Sequence, residues 1–161
     1  MNKLFFLLTF LYFSNSFAQV NNLKDLLSLS DLSVYELTSQ LQQTWTVGRP
    51  TEELTEDKKN AIGRYTFSYF KNDKNQVLQR QINTNLQLNY SRERTNFICN
   101  DANLLKLITK NLPYEGFELK QNKPHYIVYH DGNRMLAIID DGNPEYTLSK
   151  GYYMVVVFAP N

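Results

Sequence analysis

Short alternating or continuous apolar stretches separated by turn residues dominate this chain, which is typical of a β-rich domain. Tyr65, Phe67 and Tyr69 alternate with polar residues, as in a half-buried strand. The most apolar run, residues 152–158, has the length of a strand and is rich in β-branched and aromatic residues. This run predicts a strand covered on both faces, beside which the rest of the chain pairs or packs.

Turn residues predict how these strands follow one another. Residues 125–131 turn through Gly132 and Asn133 into residues 134–140, and a second turn at 141–144 leads into a long final strand, 146–158. In the first half, a turn at 71–74 precedes a strand at 77–83, and a turn at 83–85 leads into 86–95. We choose the register that places Arg80 opposite Leu88, because it gathers apolar side chains on one face.

Two main helices are predicted. Ser33 and Glu36 have the spacing of a capping box, and residues 102–111 follow the capping residues Asn100 and Asp101. The apolar stripes of these helices are Val34, Leu37 and Leu41 in the first, and Leu104, Leu107 and Ile108 in the second. The charged stretch 51–63 is interpreted as an exposed short helix or a loop.

The predicted fold class is α+β, with an antiparallel sheet of about six or seven strands and two main helices packed on one face. The element order also fits two α+β half-repeats that share one sheet. In that interpretation, residues 65–69 and 126–130 are equivalent strands. Two ordinary α+β halves remain the alternative.

The N-terminus predicts export. Lys3 gives a basic start, residues 4–13 are apolar except for Thr9, and small residues at Ser16 and Ala18 precede Gln19. This is the pattern of a Sec signal peptide, and an uncut anchor is the alternative. We therefore expect a cleaved signal at 1–18 and a single α+β domain at 19–161, located in the periplasm or secreted, without stable membrane insertion.

Charge and cysteine content narrow the classes of function. The chain has 17 Lys and Arg against 16 Asp and Glu, so removal of Lys3 leaves a balanced domain. Such a domain has no electrostatic basis for binding nucleic acid or an anionic membrane. Cys99 is the single cysteine and follows apolar residues, which predicts a buried thiol and no internal disulfide. No motif indicates a cofactor.

Two groups of residues are candidates for chemistry. His125 is predicted to lie opposite Asp140 across the hairpin, and this pair, with Cys99, could serve a hydrolase. His125 and His130, five residues apart, point to opposite faces of a strand, which argues against a shared metal ion.

The second group is an arginine- and tyrosine-bearing sheet face. It comprises Arg80, Arg92, Arg94, Tyr65 and Tyr90. Arginine and tyrosine combine apolar area with directional hydrogen bonds, so they dominate binding hot spots. In the alternative interpretation, the stem of Arg80 is buried and only its head reaches the rim of the sheet.

Three functions fit these patterns. The first is an exported non-enzymatic binding protein, of the inhibitor, immunity or adaptor type, whose partner is another protein. The predicted layout is similar in outline to small periplasmic inhibitor and immunity proteins. The second is a periplasmic or secreted hydrolase or ligand-binding protein that uses His125 and Asp140. The third is a structural component of the envelope. The absence of a hydrolase motif favours the first.

The exported protein is expected to begin at Gln19, because signal peptidase cleaves after small residues at the −3 and −1 positions. Intact-mass analysis of protein recovered from the periplasm or medium checks this. A mass that retains Met1 would contradict it.

Overall fold

The computed structural model describes residues 19–71 and 73–159, so the predicted signal peptide lies outside the described residues. Three helices are present: α1 (Leu23–Ser30), α2 (Val34–Leu41) and α3 (Ala102–Asn111). The strands are β1 (Thr46–Val47), β2 (Thr51–Leu54), β3 (Asn60–Lys71), β4 (Lys74–Asn85), β5 (Tyr90–Cys99), β6 (Glu118–Lys123), β7 (Tyr126–His130), β8 (Met135–Asp140) and β9 (Tyr153–Phe158). A 3-10 turn, Pro113–Glu115, follows α3.

All the strands in the described chain belong to one nine-stranded antiparallel sheet, ordered β1-β3-β4-β5-β9-β8-β7-β6, with β2 also on β3. Two meanders, β3-β4-β5 and β6-β7-β8-β9, therefore meet where β5 pairs with β9. The fold is α+β with a large antiparallel sheet, as predicted. The expected six or seven strands were too few.

Part of the difference in strand number comes from the charged stretch 51–63. It was interpreted as a helix or loop, but it forms β2 and the start of β3. Together, β1 and β2 cover one edge of β3, with Gly48 and Pro50 between them. Every residue of β2 is exposed, so it lacks the alternation by which a half-buried strand is identified. Its pairing with β3 overrides its weak local preference.

The three helices pack on one face of the sheet, where they build the larger core. Leucines of α1 and α2, including Leu26 and Leu37, meet Phe67, Leu78 and Phe97 there. A smaller cluster on the opposite face contains Val128, Ala137, Ile139, Met154 and Val156, against which Tyr146 and Leu148 of the loop before β9 pack. The strand β9 contributes to both clusters and is buried from Tyr153 to Val157. Its predicted burial on both faces is confirmed.

Two strand boundaries differ from the prediction. The final strand begins at Tyr153 and not at 146, because the chain first forms a loop that ends at Gly151, with φ of 80°. The turn after β4 spans residues 86–89, because the Asn85 side chain accepts the backbone N–H groups of Gln87 and Leu88 and Asn89 adopts a left-handed φ of 48°. The predicted pairing of Arg80 with Leu88 is therefore wrong.

The two predicted helices, α2 and α3, follow their predicted boundaries closely, and the structure adds a third, α1, to the expected two main helices. Ser33 and Glu36 form the expected capping box, and the Asp101 side chain caps α3. Leu107, predicted for the buried stripe of α3, is exposed, and Leu105 packs against the core in its place. None of the helices that the structure describes is long and apolar enough to cross a membrane.

The corrected register makes opposite predictions for two leucines of the same hairpin. Leu78→Ala is expected to lower the free energy of unfolding by about 2–5 kcal/mol, because Leu78 is fully buried between Phe67 and Phe97. Leu88→Ala is the matched control and should change it little, since Leu88 is 75% exposed. Urea denaturation measures both. Equal losses would contradict this register.

Candidate binding groove

The sheet divides the predicted arginine and tyrosine patch between its two faces. Directly paired residues of adjacent strands share a face, and Tyr65 pairs with Arg80, which pairs with Thr95. Since side chains alternate along β5, Arg92 and Arg94 point away from the face of Thr95. Tyr65 and Arg80 lie on the helix-covered face, and Tyr90, Arg92 and Arg94 lie on the other. The expectation that the three arginines share a face was wrong.

Arg80 lies inside the protein, with only 3% of its side chain exposed. Its Nη2 donates to the backbone carbonyls of Leu29, Ser30 and Leu32 at 3.2, 2.8 and 2.7 Å. Its Nη1 donates to the Glu93 carboxylate at 2.9 Å. Burial lowers the pKa of Arg80, and the adjacent Glu93 carboxylate opposes this shift. The guanidinium thus satisfies carbonyls at the end of α1 and ties the α1–α2 connection to the sheet.

A groove of about 630 Å³ opens on the face that the helices leave uncovered. It lies beside the ends of β5 and β9 and the β7–β8 turn. Its lining residues are Gln81, Asn83, Tyr90, Ser91, Arg92, Glu93, Arg94, His130, Asn133, Met135, Phe158 and Ala159. Five of them form one cross-strand row through successive pairs: Gln81, Arg94, Phe158, Met135 and His130.

Arg92 and Arg94 are oriented in this groove by uncharged groups. Arg94 Nη2 donates to Gln81 Oε1 at 2.8 Å, and its Nε is buried without a hydrogen-bond partner. The Arg92 guanidinium lies 5.7 Å from the centre of the Tyr90 ring, in a cation–π contact. Within residues 19–71 and 73–159, neither forms an ion pair with an acidic side chain.

The acidic residue nearest in sequence does not neutralise them. Glu93 lies between the two arginines, but its carboxylate is bonded to Arg80. By contrast, Arg64 lies in the same cross-strand row as Arg94 and is paired with Glu53 at 2.6 Å. Within the described residues, Arg92 and Arg94 are therefore not ion-paired, although Glu93 also lines the groove and is 40% exposed.

The opposite side of the groove adds a hydrogen-bond donor and apolar area. His130 Nδ1 accepts the backbone N–H of Gly132 at 3.0 Å, which leaves its Nε2–H as the donor. Met135 and Phe158, two members of the cross-strand row, pack against the smaller core cluster. The groove thus combines arginine, histidine and amide donors with apolar side chains.

The alternative catalytic residues lie elsewhere. His125 Nδ1 and Asp140 Oδ1 are 2.7 Å apart, which confirms the predicted cross-strand pair. Asp140 also accepts the backbone N–H of Gly142, and a Cβ at Gly142 would overlap the His125 ring. The pair is half-exposed and joins the residue before β7 to the end of β8 and the turn that follows it. None of these residues lines the groove.

Cys99 is fully buried on the helix-covered side of the sheet, as predicted. Burial raises the pKa of its thiol, which disfavours the nucleophilic thiolate. No cluster of three or more His, Cys, Asp or Glu residues that could hold a metal ion occurs in the parts of the chain described above.

Sequence reasoning found three of the groove residues, Tyr90, Arg92 and Arg94, and missed those from the second half of the chain. His130, Met135 and Phe158 enter the groove only because β5 pairs with β9 and β9 with β8. Their proximity depends on pairing between distant segments, for which no local pattern gives a signal.

Comparison with known proteins adds no relative. No protein-family model, curated protein or solved structure matches this chain.

Arg80→Met is expected to lower the free energy of unfolding by about 3 kcal/mol, because the buried carbonyls of Leu29, Ser30 and Leu32 lose their charged donor. Arg64→Met is the matched control, with an expected loss below about 1 kcal/mol, since its pair with Glu53 is exposed. Chemical denaturation compares them. Equal small losses would show that Arg80 does not hold the α1–α2 connection.

Proposed function

We propose that this chain is an exported, non-enzymatic binding protein that holds another protein in the groove beside β5 and β9. The observation that carries the proposal is the pair of oriented arginines, Arg92 and Arg94, without acidic partners beside Tyr90, Met135 and Phe158. Arginine, tyrosine, phenylalanine and methionine are the residue types enriched at protein interfaces.

An exposed apolar area extends this surface. Leu86 and Leu88, in the turn before β5, are 50% and 75% exposed, and Tyr90 follows them into the groove. The backbone N–H of Leu86 donates to the carbonyl of Lys59, which joins the β4–β5 turn to the β2–β3 turn. Exposed apolar groups next to a groove mark an interaction surface larger than a small ligand needs.

The other surfaces suit a partner less well. The helix-covered face is filled by the larger core. The edge strand β6 carries charged residues and an irregularity between Leu119 and Gln121, two features that discourage strand pairing with another chain. The groove is therefore the surface of choice. The balanced charge of the domain favours a protein over nucleic acid.

The hydrolase alternative rests on the His125–Asp140 hydrogen bond alone. Its third residue, Cys99, is fully buried, so the predicted nucleophile is not accessible to a substrate. A structural envelope role remains a further alternative, in which the same surface would contact a second copy of this chain. Export to the periplasm or medium, the single-domain organisation of residues 19–161 and the half-repeat interpretation are part of the proposal.

The half-repeat interpretation relates the position of the groove to the two halves of the sheet. Each half contains a helix, a hairpin and a final strand: α2 with β3–β5, and α3 with β7–β9. The final strands of the two halves are paired, and the groove opens at the end of that pairing. A binding site at the seam of two similar halves receives side chains from both.

Affinity capture with tagged residues 19–161 tests the proposal, using native envelope and culture fluid. Arg92→Glu combined with Arg94→Glu should reduce partner recovery about tenfold or more, because two attractive charges become repulsive. Lys71→Glu combined with Lys106→Glu makes the same charge change at exposed positions outside the groove and should leave recovery unchanged.

Circular dichroism establishes that each variant is folded before recovery is compared. Unchanged recovery with the groove variant would remove the groove as the binding surface. A folded wild-type protein that recovers no partner would overturn the proposal. Activity lost in His125→Ala, in a hydrolase screen, would favour the enzyme alternative.

A further inference from the structure

We propose that the groove recognises a short acidic segment of the partner protein, with side-chain carboxylates held by Arg92 and Arg94 and an apolar residue against Met135 and Phe158. This inference rests on the proposed function, and it assigns the chemistry of the segment that is bound. The following geometry supports it.

The two guanidinium groups are positioned but their charges are unmatched. The cation–π contact with Tyr90 holds Arg92, and the bond to Gln81 holds Arg94 by one terminal nitrogen. The remaining N–H donors of a guanidinium form a planar fork that matches a carboxylate in two parallel hydrogen bonds.

The mixed chemistry of the groove favours a peptide carboxylate beside an apolar residue over a nucleic-acid backbone. A site for a nucleic-acid backbone needs several basic side chains along a stripe, whereas this groove has two arginines in a domain of nearly zero net charge. Met135 and Phe158 occupy neighbouring positions of the same cross-strand row as Arg94. An acidic residue adjacent to an apolar one satisfies both parts of the groove.

The size of the groove also fits a short segment. Its volume of about 630 Å³ lies within the range of ordinary ligand sites, roughly 300–1,000 Å³. His130 Nε2–H and the Asn133 side chain stand on the side opposite Arg92 and offer donors to the backbone carbonyls of such a segment. A folded surface would instead contact the exposed leucines outside the groove.

The test uses a fluorescent pentapeptide of alternating glutamate and leucine with blocked ends. Its counterpart has glutamine in place of every glutamate, and inorganic phosphate serves as a competitor. Fluorescence anisotropy with residues 19–161 should show binding of the glutamate peptide only, weakening about tenfold or more between roughly 0.05 M and 0.5 M salt. Unlabelled glutamate peptide should displace the fluorescent peptide. Inorganic phosphate at the same concentration should displace it poorly.

Single neutral variants locate the contact. Arg92→Gln and Arg94→Gln should each weaken binding of the glutamate peptide roughly tenfold, the effect of losing a charge-assisted hydrogen bond. Arg64→Gln is the matched control, because Arg64 shares the cross-strand row of Arg94 but is already paired with Glu53. Its binding should be unchanged.

The outcomes distinguish failure of this inference from failure of the proposed function on which it rests. Equal binding of the glutamine peptide, equal loss in Arg64→Gln, displacement by phosphate, or no peptide binding would overturn the inference. Partner capture that depends on Arg92 and Arg94 would then still support the proposed function. Conversely, arginine-dependent peptide binding without any captured partner would support the acidic-ligand groove and contradict the protein-holding role.

Discussion

The pairing of β5 with β9 is the contact on which the rest of the structure depends. It joins the final strands of two meanders into one sheet, from Arg94–Phe158 to Cys99–Tyr153. Because β9 then has neighbours on both edges and side chains buried on both faces, it supports both hydrophobic clusters at once. Interrupting this pairing would separate the two halves of the sheet and also the two sides of the groove.

Alternation along β5 links the interior to the groove. Three consecutive charged residues, Arg92, Glu93 and Arg94, would neutralise one another in part on a flexible segment. A strand sends the middle side chain to the opposite face, where Glu93 bonds the buried guanidinium of Arg80. The same interaction that holds the α1–α2 connection therefore engages the carboxylate of Glu93, which lines the groove but is bonded to Arg80 and not to Arg92 or Arg94. The positive character of the groove follows from how the core is built.

Local patterns predicted the elements that local chemistry determines. The capping box at Ser33, the Asp101 cap of α3 and the hairpin through Gly132 occur where their residue types place them. The buried strand at the end of the chain was likewise evident from its apolar run. In each case the information lies within a few residues, so no knowledge of distant contacts was needed.

Elements determined by long-range pairing could not be predicted in the same way. The exposed residues of β2 form a strand because they pair with β3. Tyr146 and Leu148, predicted to belong to the final strand, lie instead in the loop before β9 and pack against the smaller cluster. Apolar matching also failed in the β4–β5 hairpin, where the side-chain hydrogen bonds of Asn85 produce a longer turn. Leu86 and Leu88, which favoured the predicted register, lie at the exposed tip of the hairpin.

The candidate site shows why one such error has large consequences. A shift that changes the parity of a strand moves every side chain to the other face, so the predicted patch joined Arg80 to residues it cannot reach. The correct parity instead brings Arg92 and Arg94 to Met135 and Phe158, which belong to the other half of the chain. Residue type identified the arginines, but their environment depends on the sheet. A binding chemistry can be assigned here only after the face of each arginine is known.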